Sequence, residues 1–184
     1  MRIKLIANPV SGGNARSRIQ LARETLQRLG AEVELSLTAA RGDARHAASQ
    51  AVSEGYDRIV AAGGDGTLNE VINGVASSEL PIAFLPLGTV NVFALEAGIP
   101  LQIETACAIA LQGVPRRITL GRINGELFLL MASAGWDAAA VAGVRPGLKK
   151  RLGRLAYAVS ACLLYTSPSP RDLRQDRVCR LLLE

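Results

Sequence analysis

Three short turns carry the residues best suited to chemistry in this chain. Gly63-Gly64-Asp65-Gly66-Thr67 joins an apolar run to a helical pattern, and its glycines let the backbone approach a ligand closely. The N–H groups that open the next helix then face an anion, assisted by the helix dipole. Asp65 does not suit a bare phosphate cradle, because a carboxylate repels phosphate. It either positions a metal-bound water or a nucleotide hydroxyl, or it caps the helix it begins. Asn69 and Glu70 fall in the first helical turn, where Glu70 beside a phosphate calls for a cation or a ribose. Asn8-Pro9-Val10-Ser11-Gly12-Gly13 is a second turn suited to an anion. Pro86-Leu87-Gly88-Thr89-Val90-Asn91 is a third, in which Thr89 and Asn91 can bond a phosphate or cap a helix. Neither the Gly-Lys-Ser/Thr phosphate loop nor the G-x-G-x-x-G dinucleotide turn occurs, so a nucleotide site here has another architecture.

The elements around these turns alternate. Arg2 to Ala7 is an expected strand; Ile19, Ala22, Leu26 and Leu29 recur at helical spacing, and Gly30 ends that helix. Val33, Leu35 and Leu37 alternate as a strand, Asp43 is placed to cap a helix carrying Ala47 and Ala51, and Arg58 to Ala62 is a third strand. A helix through Val75, a strand over Pro81 to Leu85 and a helix from about Asn91 follow. Strand, turn and helix repeated in this way give an α/β fold, a mostly parallel sheet with helices on both faces. Ligands bind such sheets beyond the carboxyl ends of the strands, where all three turns fall. After a helix over Leu101 to Gln112 the pattern changes. Arg117 to Ile123 and Glu126 to Ser133 are β-rich and separated by Asn124-Gly125, a strong hairpin signal. A domain boundary is therefore expected near Pro115, with residues 1–115 forming the α/β domain and an antiparallel β-rich domain beginning at 116.

Composition narrows the classes. The 184 residues are 49 % hydrophobic and 20 % charged, which excludes wholesale disorder. No apolar run reaches the roughly 18 residues of a membrane span, and no signal peptide is expected at the N-terminus. A net charge of +5 favours anionic partners but is too modest to name nucleic acid, so none is expected. Three cysteines without metal or disulfide spacing imply a reducing, cytoplasmic setting. Cys107 and Trp136 read as core residues, and His46 as a surface or packed residue. Asp137 reads as a substrate-side residue or a helix cap. The Lys149 to Arg154 cluster reads either as a solvated helix face or as a surface for anionic lipid heads. From Cys162 to Glu184 the chain resembles two consecutive sequencing adapters translated in one frame. Residues 162–184 are therefore set apart from fold reasoning, and the natural sequence is expected to diverge after Ala161.

The Asn8-Pro-x-Ser-Gly turn, the Gly63-Gly-Asp-Gly-Thr-Leu-Asn-Glu70 block and Pro86-Leu-Gly-Thr-x-Asn91 resemble the diacylglycerol kinase catalytic domain family. That family includes bacterial lipid kinases and sphingosine kinases, within the larger group holding NAD kinases and phosphofructokinases. The resemblance implies an ATP-dependent kinase that uses Mg²⁺ to phosphorylate a lipid hydroxyl, and a cytoplasmic enzyme peripheral to the inner face of the membrane is the expected setting. It implies nucleotide contacts at Thr38, at Gly64, Asp65, Gly66, Thr67, Leu68, Asn69 and Glu70, and at Thr89, with Asp65 positioning the nucleotide or a metal-bound water; Asn8, Ser11, Gly63, Gly88 and Asn91 of the anion-suited turns are expected to join them. Gly121-Arg-Ile-Asn-Gly125 and Gly135-Trp-Asp-Ala138 resemble the opening of the family's C-terminal β-sandwich, which assigns residues 116–161 to it. Two departures stand out. Val92 occupies the place where relatives usually carry Asp, and the family's catalytic base falls beyond Ala161. The chain as given is therefore expected to bind nucleotide weakly and not to turn over. A soluble-substrate kinase resembling NAD kinase, or a non-catalytic nucleotide-binding module, is the alternative.

Overall fold

A computed structural model of the protein describes residues 1–76 and 78–132. Trp136, Asp137, the Lys149 to Arg154 cluster and the adapter-like residues 162–184 lie outside the described residues. Met1 to Met131 form one compact unit. Its elements are β1 (Arg2–Ala7), α1 (Ala15–Arg28), β2 (Glu32–Leu37), α2 (Asp43–Ala51), β3 (Arg58–Gly63), α3 (Asp65–Val75), β4 (Ile82–Pro86), α4 (Val92–Glu96), α5 (Ile103–Gln112), β5 (Gly121–Ile123) and β6 (Glu126–Phe128).

The first four strands make one parallel sheet in the order β2-β1-β3-β4. Strands buried on both faces read as continuous apolar runs rather than as alternation. This holds for β1 and β3, whereas the edge strand β2 alternates. Side chains on the two faces separate cleanly. Ile3, Leu5, Ala7, Val60, Ala62 and Leu85 pack against α1 and α5, through Ile19, Ala22, Leu26, Ala106 and Cys107. On the other face Ile6, Ile59, Ala61 and Phe84 pack against α2, α3 and Ala94 of α4. The mostly parallel sheet covered on both faces that the sequence implies is the architecture found.

Cys107 is the core residue expected, with its Sγ 3.8 Å from the Ala22 carbonyl oxygen, and burial pushes its thiol up to about 11. Gly30 adopts φ +91° and donates to the Gln27 carbonyl, a left-handed stop that only glycine reaches freely. Gly74 lets α2 and α3 approach: a Cβ there would lie 2.7 Å from Ala48 Cβ and 3.1 Å from Ser49 N.

Two sequence expectations change. Asp43 begins α2 but does not cap its first turn; its Oδ2 accepts from the N–H groups of Ala39 and Ala40, at 2.7 and 2.8 Å. Those two donors hold the Asp43 carboxyl below its usual range. The hairpin forms at Asn124-Gly125, both at positive φ, but its arms have three residues each rather than seven or eight. A two-stranded ribbon is marginal alone, and this one pairs only where it lies on α3.

Arg58, at the start of β3, is buried and donates to the carbonyl oxygens of Ala110 and Gly113 at the end of α5. A buried cation bonding otherwise unpartnered helix-end carbonyls contributes through both charge and desolvation. Arg58→Ala is expected to lower the free energy of unfolding by about 2–4 kcal/mol, seen as an earlier urea midpoint at unchanged slope. A change under about 0.5 kcal/mol, ordinary for a surface site, contradicts this role.

Candidate functional site

The order β2-β1-β3-β4 fixes where a ligand can enter. From β1 the chain moves to β2 on one side, then crosses back to β3 on the other. The segments leaving β1 and β3 therefore part and open a crevice outside the carboxyl ends of the strands. The strand ends are level there: Ala7 pairs with Leu37 and with Ala62, and Gly63 with Pro86. Asn8, Thr38, Gly64 and Leu87 consequently leave the sheet at the same edge. Thr38 donates its N–H to the Ala7 carbonyl at 2.9 Å, which keeps it one strand away from the Asn8 turn.

The three glycine turns meet. The Gly63 carbonyl oxygen accepts from the N–H groups of Leu87, at 2.8 Å, and of Gly88, at 3.0 Å. Gly12, at φ +77°, packs against the Leu87 carbonyl so closely that a side chain there would overlap it. A Cβ on Gly64 would lie 3.5 Å from Gly88 Cα and 3.6 Å from Ser11 Oγ. A Cβ on Gly88 would lie 2.6 Å from Gly64 Cα. Within the Asn8 to Gly13 turn, Asn8 Oδ1 accepts from the Val10 N–H at 3.0 Å. Ser11, Gly12, Gly63, Gly64 and Gly88 thus belong to one small region of nearly bare backbone.

Asp65 has a partner outside its own helix. Its Oδ2 and Oδ1 accept from the N–H groups of Val92 and Phe93, at 3.0 and 3.1 Å, so it caps α4 rather than α3. Asn91 precedes α4 at φ +54°, is buried, and donates from Nδ2 to the Gly88 carbonyl at 2.9 Å. Glu70 Oε2 accepts from the Gly42 N–H at 3.0 Å, tying α3 to the segment after Thr38. Thr67 is buried, with its Cβ 2.7 Å from where a Cβ on Gly63 would stand. Thr89 is exposed at the tip of its turn. Leu68 departs from the expected set. Its side chain lies in the core against α2 and its N–H is given to the Gly64 carbonyl at 3.1 Å, so neither is free for a ligand. Helical geometry explains this: a residue three positions after Asp65 comes round to the face packed on the sheet.

Arg18 was not singled out by the sequence. From the end of the first turn of α1 it donates to the carbonyl oxygens of Pro86, at 3.0 Å, and Leu87, at 3.3 Å. The N–H groups of Leu87 and Gly88 are fixed by Gly63 and the carbonyls of Pro86 and Leu87 by Arg18, so both sides of this turn are held. The only sequence signal for Arg18 is its place beside the buried Ile19, too weak to separate it from the other arginines.

The donor set suits phosphate. Among the described residues, the N–H groups of Asp65, Gly66 and Thr67 have no protein acceptor, and they open α3 at its positive end. The absence of side chains at Gly63, Gly64 and Gly88 leaves room for close approach. Among the described residues no three His, Cys, Asp or Glu side chains converge as a metal cage.

Comparison with known proteins bears on this geometry. The family description "Diacylglycerol kinase catalytic domain" matches residues 2–123. A Pseudomonas aeruginosa protein named "Probable lipid kinase YegS-like" is 40 % identical over 158 residues, 85 % of this chain and 51 % of that protein. A Bacillus subtilis protein named "Diacylglycerol kinase" is 35 % identical over 176 residues, 94 % of this chain and 58 % of that protein. A crystal structure of a diacylglycerol kinase from Bacillus anthracis superposes with a TM-score of 0.63 at 30 % identity, over 70 % of this chain and 45 % of that one. The chain thus spans about half the length of the curated relatives it matches.

Proposed function

Because this chain belongs to the diacylglycerol kinase catalytic domain family, we propose that its three converging turns hold the phosphates of ATP and that the full-length protein transfers the γ-phosphate to a lipid hydroxyl. The observation that carries this reading is the meeting of Ser11, Gly64 and Gly88 at the switch point of the sheet, beside the unbonded N–H groups of α3. Phosphoryl transfer needs little covalent help from protein; it needs positioning and stabilisation of charge. The N–H groups of Asp65, Gly66 and Thr67 supply fixed dipoles to the phosphates. Ser11 and Thr89 supply hydroxyl donors, and Arg18 holds the Thr89 turn in place. Asp65 holds α4 and has lone pairs left to accept from a phosphate-bound water. Mg²⁺, when bound with ATP, neutralises phosphate charge as the transfer proceeds. Residues 1–115 make up the nucleotide-binding part and residues 116–161 begin the lipid-binding part, with 162–184 outside both. The protein acts from the cytoplasm as a peripheral enzyme at the membrane. No helix among the described residues is long and apolar enough to cross a membrane.

The test is calorimetric titration of this chain with Mg-ATP, paired with an assay of the full-length protein on diacylglycerol in detergent micelles and on NAD. Binding, with phosphate appearing in lipid and not in NAD, is expected. Phosphorylation of NAD alone contradicts the lipid reading, and binding without any transfer favours a non-catalytic nucleotide-binding module.

A further inference from the structure

The side chain of Asn73 hydrogen-bonds the hairpin β5–β6 to α3. Asn73 Nδ2 donates to the Leu127 carbonyl and Oδ1 accepts from the Leu127 N–H, both at 2.9 Å, while Nδ2 also donates to the Asn69 carbonyl at 2.9 Å. The two bonds to Leu127 fix which way the amide faces, because its donor must meet a carbonyl and its acceptor an N–H.

Register explains why Leu127 is free to be held. It stands opposite Arg122, and both of its backbone groups point away from β5. The outer edge of a strand normally awaits another strand. Here a carboxamide on a helix takes that place. The Leu127 side chain enters the core beside α2 and α3, and Arg45 of α2 bonds both carboxylate oxygens of Glu126, at 2.9 and 3.0 Å. Asn69, which accepts the third bond, belongs to the same block as Gly64 to Glu70. Asn73 lies eight residues along α3 from Asp65, about 12 Å at 1.5 Å per residue. A short stretch of helix therefore links the phosphate turn to β6.

We propose that Asn73 is a positioning residue for the acceptor side of the reaction: by pairing with Leu127 it sets where the lipid-binding part of the protein begins relative to the phosphates. This inference rests on the lipid-kinase reading above. Transfer between two bound groups is sensitive to placement, with about a 100-fold loss from a displacement near 1 Å. Asn73 stands about 12 Å along α3 from Asp65, at 1.5 Å per residue, and its bond into the nucleotide block is to the Asn69 backbone carbonyl alone, so its loss is expected to act on the acceptor and not on ATP.

The experiment compares wild type, Asn73→Asp and Asn73→Ala in the full-length protein. Asn73→Asp keeps the shape and the acceptor for the Leu127 N–H but sets an oxygen against the Leu127 carbonyl. In both variants kcat/KM for diacylglycerol in micelles is expected to fall about 10- to 100-fold, with Mg-ATP affinity within about twofold of wild type. Amide exchange at Leu127 is expected to quicken at least tenfold while β3 stays protected. Unchanged acceptor kinetics in both variants overturn the proposal, even if exchange quickens. So do ATP affinity and acceptor kinetics falling together, which is the mark of general destabilisation. A wild-type protein that binds ATP and phosphorylates no lipid overturns the lipid-kinase reading and this inference with it. Wild-type activity retained in the variants overturns the inference alone.

Discussion

Gly88→Ala is expected to abolish measurable ATP binding by this chain. The new Cβ would stand 2.6 Å from Gly64 Cα and 2.7 Å from Asn91 Oδ1, and the first of these is backbone that no rotamer change can clear. One of the two turns must shift, and Arg18 and the Gly63 carbonyl resist that shift by holding the 86–88 turn from both sides. Overpacking of this kind costs about 1–3 kcal/mol of stability. The larger effect falls on the ligand. Each lost charge-assisted N–H to phosphate bond is worth about 1.5–3 kcal/mol, so losing two weakens binding by at least about 100-fold. Gly66→Ala separates site from scaffold, because no atom lies within 4 Å of a Cβ there. Alanine in the first turn of α3 is expected to raise stability by up to about 1 kcal/mol. Calorimetric titration and thermal melts of the two variants check both expectations. Wild-type affinity in Gly88→Ala would show that the turns do not form a shared cradle.

Asp65→Ala is expected to cost the full-length protein at least 100-fold in turnover, a loss of about 2.7 kcal/mol or more in transition-state stabilisation. It is also expected to cost about 1–2 kcal/mol in stability, the usual loss when a helix cap is removed. The stability loss follows from the bonds to Val92 and Phe93: α4 has five residues and is too short to persist without outside support. Asp65→Asn separates the two contributions. It keeps one acceptor for α4 but no charge, so its stability is expected between that of wild type and Asp65→Ala, with turnover as low as in Asp65→Ala. Turnover near wild type in Asp65→Asn would mean that Asp65 acts only by holding α4. Turnover retained in Asp65→Ala would remove Asp65 from the site altogether.

The role of Asp65 also marks where sequence reasoning stops. Its position at the head of α3 left open a cap for that helix or a contact with the nucleotide. The helix it caps begins 27 residues later, and nothing in the spacing of Asp65 and Val92 announces that. Leu68 fell within the expected block because a motif is contiguous, whereas helix geometry sends its side chain to the sheet. Arg18 and Asn73 carry no sequence signal for a related reason. Apart from the Asn73 bond to Asn69, their side chains bond backbone groups 54 or more positions away, and those partners depend on which turns are brought face to face.

By itself the sequence determined the elements and their kind. Short apolar runs punctuated by glycine, helices at 3.6-residue spacing and the Asn124-Gly125 hairpin are local signals, set by backbone sterics and by side-chain periodicity within a few residues. The alternation of those elements then implied a parallel sheet with the three turns at one edge. Only the tertiary structure decided the pairings among them: the Gly63 carbonyl shared by Leu87 and Gly88, Glu70 on Gly42, Asp65 on α4, and Asn73 on the hairpin. The physical reason is that a hydrogen bond between distant segments forms only once burial of the two sheet faces has fixed the strand order β2-β1-β3-β4, a choice made by the whole core and not by any one stretch of chain.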